Sequence, residues 1–146
     1  MGARHSGREA ALQMLFQLEA SGVSAEQAIT LFWRTFEEDA DPEGKTYADA
    51  CVRGVAEHLD TIDKRVVAAS QNWRLERMSR VDRNLLRLGT FELLFRTDIP
   101  RAVILDEAVE LAKSFGTDES SGFVNGVLDR VATDIGRKDA DRPGGA

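Results

Sequence analysis

Guanidinium groups suit the recognition of phosphate and carboxylate oxygens, and this chain concentrates them. Arg74, Arg77, Arg80, Arg83 and Arg87 share one short stretch with only Glu76 and Asp82 as acids, a local excess of three positive charges. If the stretch is helical, Arg80, Arg83 and Arg87 stand at i, i+3 and i+7 and form one strip, with Val81, Leu85 and Leu88 on the opposite side. Such a strip could meet phosphates or an acidic partner; the alternative is a solvated face with intrahelical ion pairs. A second, smaller cationic group lies at the start, where Arg4, His5 and Arg8 enter the first helix. The free amides and positive dipole end of a helix N-terminus favour the same oxygens, although a basic chain end is also commonplace.

Catalytic chemistry finds no comparable constellation. His5 and His58 are far apart in sequence, and neither sits beside a nucleophile, a metal-ligand spacing or a phosphate loop. The run Gly122-Phe123-Val124-Asn125-Gly126 lacks the lysine and preceding strand of a phosphate-binding glycine loop. Cys51 falls on an apolar stripe and reads as a buried, inert thiol. The expectation is a non-enzymatic protein without a metal or cofactor.

The elements that would position these side chains are helices. The 146 residues are 42% hydrophobic and 30% charged with three prolines, the composition of a folded, helix-rich domain. The net charge of -6 excludes nucleic-acid binding through a bulk electrostatic field, so any such binding must be local. Much of the acidity, Glu37, Glu38, Asp39, Asp41 and Glu43, flanks Pro42 and Gly44 and reads as a solvated loop. The first eight residues lack the apolar core of a signal peptide, and no apolar run approaches a membrane span of roughly 20 residues. A single cysteine cannot pair internally, and a cytoplasmic protein is expected.

Ser6 and Glu9 have the spacing of a capping box and predict a helix from near Gly7, with Leu12, Leu15 and Phe16 following and Gly22 as a left-handed stop. Ser24 and Gln27 repeat the signal before Ala28, Ile29, Phe32, Trp33 and Phe36. Ala48, Cys51, Val52, Val55, Ala56 and Leu59 form a third stripe. Asp60 or Thr61 is expected to cap a short helix with Ile62, Val66, Ala69 and Trp73 inward. Ser79 opens a long helix to about Arg96, apolar over much of its circumference. After the break at Pro100, residues 102–105 read as briefly extended before an Asp106 cap, with Gly116 as that helix's stop. A last helix carries Phe123, Val124, Val127, Leu128 and Val131, and residues 135–146 read as a disordered tail. The fold class is therefore all-α, six to seven helices in two small bundles packed together, about 7–60 and 61–134, within one domain.

Three separated runs resemble the NusB family of bacterial transcription antitermination factors over about residues 4–133. They are Arg8-Glu9-Ala10-Ala11-Leu12-Gln13-Met14-Leu15-Phe16, then Val81-Asp82-Arg83-Asn84-Leu85-Leu86-Arg87 with Glu92-Leu93, and Asp106 through Gly116 continuing to Phe123-Val124-Asn125-Gly126-Val127-Leu128-Asp129. The resemblance implies a factor that binds the single-stranded boxA element of nascent ribosomal RNA together with the ribosomal protein NusE. It also implies work with other Nus factors on RNA polymerase to read through terminators. By position, Arg4, His5 and Arg8 match an arginine-rich segment that approaches the RNA backbone, and Phe16 matches an aromatic that is usually tyrosine. Glu76, Glu119 and Phe123 match further RNA-surface positions. Asp82 and Arg83, with Arg80 and Arg87 beside them, match the helix facing NusE, which reassigns the arginine strip to a protein partner.

The departures have physical consequences. Ser6 and Gly7 interrupt the arginine-rich segment, and Phe16 offers no hydroxyl to a base or phosphate. Both imply weak intrinsic RNA affinity and dependence on NusE. A helical interaction module without RNA contact is the rival reading, favoured by the acidic balance. A homodimer occluding the RNA surface is left open by the resemblance. A NusB-like domain of a ribosomal RNA methyltransferase would need a cofactor-binding α/β domain, which these residues do not supply.

Overall fold

The computed structural model describes residues 2–36, 41–71 and 73–138, and among these it is all-α. In chain order the helices are α1 (Ala3–Ser21), α2 (Ala25–Phe36), α3 (Pro42–Glu57), α4 (Leu59–Ala69), α5 (Arg80–Phe95), α6 (Arg101–Phe115) and α7 (Ser120–Asp134), with a 3-10 turn at Leu75–Arg77. They fall into two compact units, Met1–Glu57 and His58–Ala146.

In the first unit α1 packs mainly on α3, and α2 closes the group. The apolar stripe of α1, Ala10, Ala11, Leu12, Met14 and Leu15, meets Tyr47, Ala48, Cys51, Val52 and Val55 of α3 in a buried core. Two glycines set the closeness of that contact. A Cβ on Gly7 would lie 2.7 Å from the Gly44 carbonyl oxygen, and one on Gly44 would lie 2.7 Å from the Ala3 carbonyl oxygen. Gly7 is thus a packing residue inside a helix that begins four residues before the expected start, with Gly2 at its N-cap. Ser6 does not cap it. Gly22 ends α1 with φ 66, the left-handed stop that its position implies.

The Ser24 box is formed: the Gln27 amide donates to Ser24 Oγ at 3.2 Å, and the Ser24 amide donates to Gln27 Oε1 at 2.9 Å. Only Ala28 and Ile29 of α2 are fully buried, whereas Phe36 is 52% exposed, contrary to its inward expectation. Asp41 caps α3 by accepting from the Glu43 amide at 2.9 Å, and Pro42 takes the first helical position, where its missing N–H costs nothing. Pro42, Glu43 and Gly44 are therefore helix rather than loop. The rest of that acidic stretch, residues 37–40, lies outside the described residues. Ala56 is exposed, and Leu59 starts the next helix.

The second unit is built around α5, which touches α4, α6 and α7. Leu85, Leu86, Leu88, Phe91 and Leu93 are all buried, as a helix covered from several sides requires. Ser79 caps it by accepting from the Asp82 amide at 3.0 Å. α6 begins at Arg101 after Pro100, so residues 102–105 are helical, not extended. The reason is in the pattern: Ile104, Leu105, Ala108, Leu111 and Ala112 form one helical stripe that includes the residues before Asp106. Gly116 ends α6 as expected, but in an extended conformation. α4 stops at Ala69, and Gln71 adopts a left-handed φ of 56, costing about 1–2 kcal/mol for a non-glycine residue. Trp73 consequently leaves the helical register and is 55% exposed instead of inward.

Beyond α7, Gly136 turns with φ 81, and Arg137 is docked, not part of a free tail. Its guanidinium donates to the Leu93 carbonyl at 2.8 Å and to the Ile99 carbonyl, while Arg101 donates to the Arg137 carbonyl at 2.7 Å. The remainder of the expected tail, residues 139–146, lies outside the described residues.

Candidate nucleic-acid and partner interface

Arg4, His5, Arg8 and Phe16 belong to the first unit, the three basic residues on the N-terminal half of α1 and Phe16 on its C-terminal half. Tyr47 of α3 organises the arginines. Its ring lies 5.4 Å from the Arg4 guanidinium carbon and 5.3 Å from that of Arg8, both within cation–π range. Tyr47 is 5% exposed and Arg8 only 3% exposed. Arg8, expected as a phosphate contact, is thus buried against Tyr47 of α3, next in the chain to the close approach of Gly7 and Gly44. Arg4 and His5, half-buried, keep solvent-facing surface at the end of α1. Phe16 is also half-buried. Tyr47 was missed in the sequence because its partner residues lie on a different helix, and only its helical spacing from Cys51 and Val55 on α3 hinted at an inward ring.

Glu76, Glu119 and Phe123 belong to the second unit. Glu76 lies on the 3-10 turn and pairs with Arg74 at 2.8 Å, both side chains well exposed. A hydrogen bond from its own backbone amide, followed by the nearby Arg74 and Arg77, holds the Glu76 carboxyl below its ordinary pKa, so it is an acceptor at neutral pH. Glu119 is the N-cap of α7, and its carbonyl accepts from the Phe123 amide at 3.1 Å. The Phe123 ring meets the Trp73 ring edge-on, with centroids 6.1 Å apart and planes at 62°. Phe123 and Trp73 are thus brought together, with Glu119 one turn before Phe123 and Glu76 three residues after Trp73.

The arginine strip of α5 is not a uniform cationic face. Arg80 is exposed, and Asp82 is half-buried in the first turn, where its charge suits the helix dipole. Arg83 reaches back to donate to the carbonyls of Leu75 at 2.9 Å and Met78 at 3.0 Å, fixing the 3-10 turn. Arg87 forms a two-pronged ion pair with Asp63 of α4, at 2.8 and 3.0 Å. Its side chain is 14% exposed and that of Asp63 21%. Arg83 and Arg87, expected on an open partner-binding strip, also hold α5 to the 3-10 turn and to α4. Helical spacing placed them on one side of α5, but α4 and the 3-10 turn cover part of that side.

Among the described residues no group of three His, Cys, Asp or Glu side chains could hold a metal ion, and no helix is long and apolar enough to cross a membrane. Cys51 is buried.

The NusB family model matches residues 5–133. The chain belongs to the NusB family. It is 63% identical over 142 residues to the transcription antitermination protein NusB of Sorangium cellulosum, covering 97% of this chain and all of that one. Identity to the transcription antitermination protein NusB of Myxococcus xanthus is 52%, over 94% of this chain and 99% of that one. The fold is similar to that of T. maritima NusB, with a TM-score of 0.80 at 41% identity over 89% of this chain and 90% of the other. A more distant likeness in fold, TM-score 0.83 at 24% identity over 92% of this chain and 98% of the other, is to NusB in a complex of the antitermination factors NusB and NusE with double-stranded RNA.

Proposed function

We propose that this chain is a cytoplasmic, non-enzymatic transcription antitermination factor that binds boxA RNA jointly with NusE and acts with other Nus factors on RNA polymerase. The observation that carries the reading is similarity along nearly the whole chain to proteins of that name, supported in fold by the relative found with NusE and RNA.

The geometry supports a division of labour. Arg4 and His5, with the amides at the start of α1, offer the phosphate contacts, which supply affinity but little sequence preference. Phe123, Glu76 and Glu119 offer an aromatic surface and acceptor oxygens, which suit unpaired bases with exposed faces and donor edges. Acidic groups beside RNA repel its backbone and accept only from base donors. With Arg8 buried, few cations remain to release counterions, so the isolated chain binds RNA weakly and NusE supplies the remainder. Asp82 and Arg80, at the start of α5, are the groups offered to NusE.

The test is a titration of labelled boxA RNA with this chain, with NusE, and with both, across a range of salt. The expected result is weak binding by the chain alone, tight ternary assembly, and a shallow salt dependence of about 0.7 logarithmic units per phosphate contact. Absence of RNA from the assembly with NusE would refute the proposal. It would favour a helical protein-interaction module, the reading that the net charge of -6 recommends. Sedimentation of the same chain without RNA decides whether a homodimer competes with that assembly.

A further inference from the structure

Trp73 is the most exposed large apolar side chain among the described residues, at 55%. Its placement is specific. The left-handed backbone at Gln71 ends the α4 direction, and the Trp73 amide then donates to the Ser70 carbonyl at 3.2 Å. This turn delivers the indole to the first turn of α7, where it meets Phe123 edge-on. An edge-on contact covers at most one face of either ring, and the exposure of Trp73 leaves indole surface for a flat ligand.

The surroundings narrow the choice of ligand. Arg74 follows directly, its side chain 68% exposed, and is paired with Glu76 at 65%. An apolar face of a protein would have to strip water from both charges to reach two rings. An unpaired base needs only the ring face, while its edge donors suit the Glu76 carboxylate and the flanking backbone phosphates suit Arg74 and Arg77. We propose that Trp73 is a base-stacking residue: an unpaired base of the bound RNA lies on its indole beside Phe123. This rests on the RNA-binding reading given above and adds to it a residue that helical periodicity had assigned to the core.

The experiment compares the complete chain with Trp73→Ala and Trp73→Phe, each assembled with NusE, on single-stranded boxA RNA and on the same sequence as a duplex. Anisotropy should show Trp73→Ala weakening single-strand binding by at least about fivefold. Trp73→Phe should retain most of the affinity. Duplex binding, the salt slope and the affinity for NusE itself should not change, because duplexes hide their base faces and stacking releases no counterions. In a Trp33→Phe background, where Trp73 is the remaining tryptophan, RNA should quench the indole emission.

If Trp73→Ala binds single strands as tightly as the parent, the proposal is overturned while RNA binding stands. A loss confined to NusE affinity makes Trp73 a protein contact and overturns it as well. A parent assembly that retains no RNA overturns both readings. Should the Trp33→Phe background fold poorly, the anisotropy comparison in the parent background decides alone.

Discussion

Replacing Arg87 with alanine should unfold the protein more readily without weakening its hold on NusE. The guanidinium and the Asp63 carboxylate meet at 2.8 and 3.0 Å with side chains only 14% and 21% exposed. Exposed pairs are worth about 0.2–1 kcal/mol, whereas breaking a fully buried pair costs about 3–5 kcal/mol because a charge is left without compensation. This pair lies between those limits, and its bidentate geometry argues for about 2 kcal/mol. In a chain of this size that is a fall in Tm of about 4–8 °C. Circular dichroism melts of Arg87→Ala, Asp63→Ala and the double variant provide the assay. The double variant should cost less than the sum of the singles by about 1–2 kcal/mol, since the second removal no longer strands a charge. An unchanged Tm for Arg87→Ala together with a clear loss of NusE affinity would refute the reasoning and restore Arg87 to the partner surface.

Gly7→Ala should destabilise by about 1–3 kcal/mol in urea titration, because the new Cβ would meet a backbone oxygen of Gly44 that cannot swing aside; the clash outweighs alanine's better helix propensity of about 1 kcal/mol. Ser79→Ala removes the oxygen that accepts from the Asp82 amide and should cost about 1 kcal/mol by the same measurement. Glu26 accepts side-chain hydrogen bonds from Arg53, which lower its pKa from the usual 4.5. A depressed carboxylate pKa contributes stability that is present above the unfolded value and lost as pH falls through the folded one. The small Tm difference between the parent and Glu26→Gln should therefore persist at pH 7 and vanish in melts well below pH 4.5.

Helix existence and local punctuation were legible in the residues themselves. Ser24 with Gln27, Ser79 before α5 and Gly22 after α1 act through bonds and dihedrals within a few residues, so spacing alone identified them. The apolar stripe of α5 likewise announced a central helix. Helix starts were less legible where a cap-like residue lay inside a longer pattern. Ser6 and Asp106 resemble caps, yet the Gly7–Gly44 contact and the stripe from Ile104 carry α1 and α6 past them.

What the sequence by itself determined was the helical periodicity, the apolar faces and the resemblance in three separated runs. Tertiary structure alone decided which polar side chains remain available for binding. Periodicity fixes the angle of a residue around its own helix but says nothing about which neighbour covers that angle. Arg8 looked like Arg4, and Arg87 like Arg80, until helix packing left Arg8 only 3% exposed and Asp63, from another helix, was paired with Arg87. Trp73 looked like core until one left-handed residue at Gln71 turned the chain and exposed it beside Phe123.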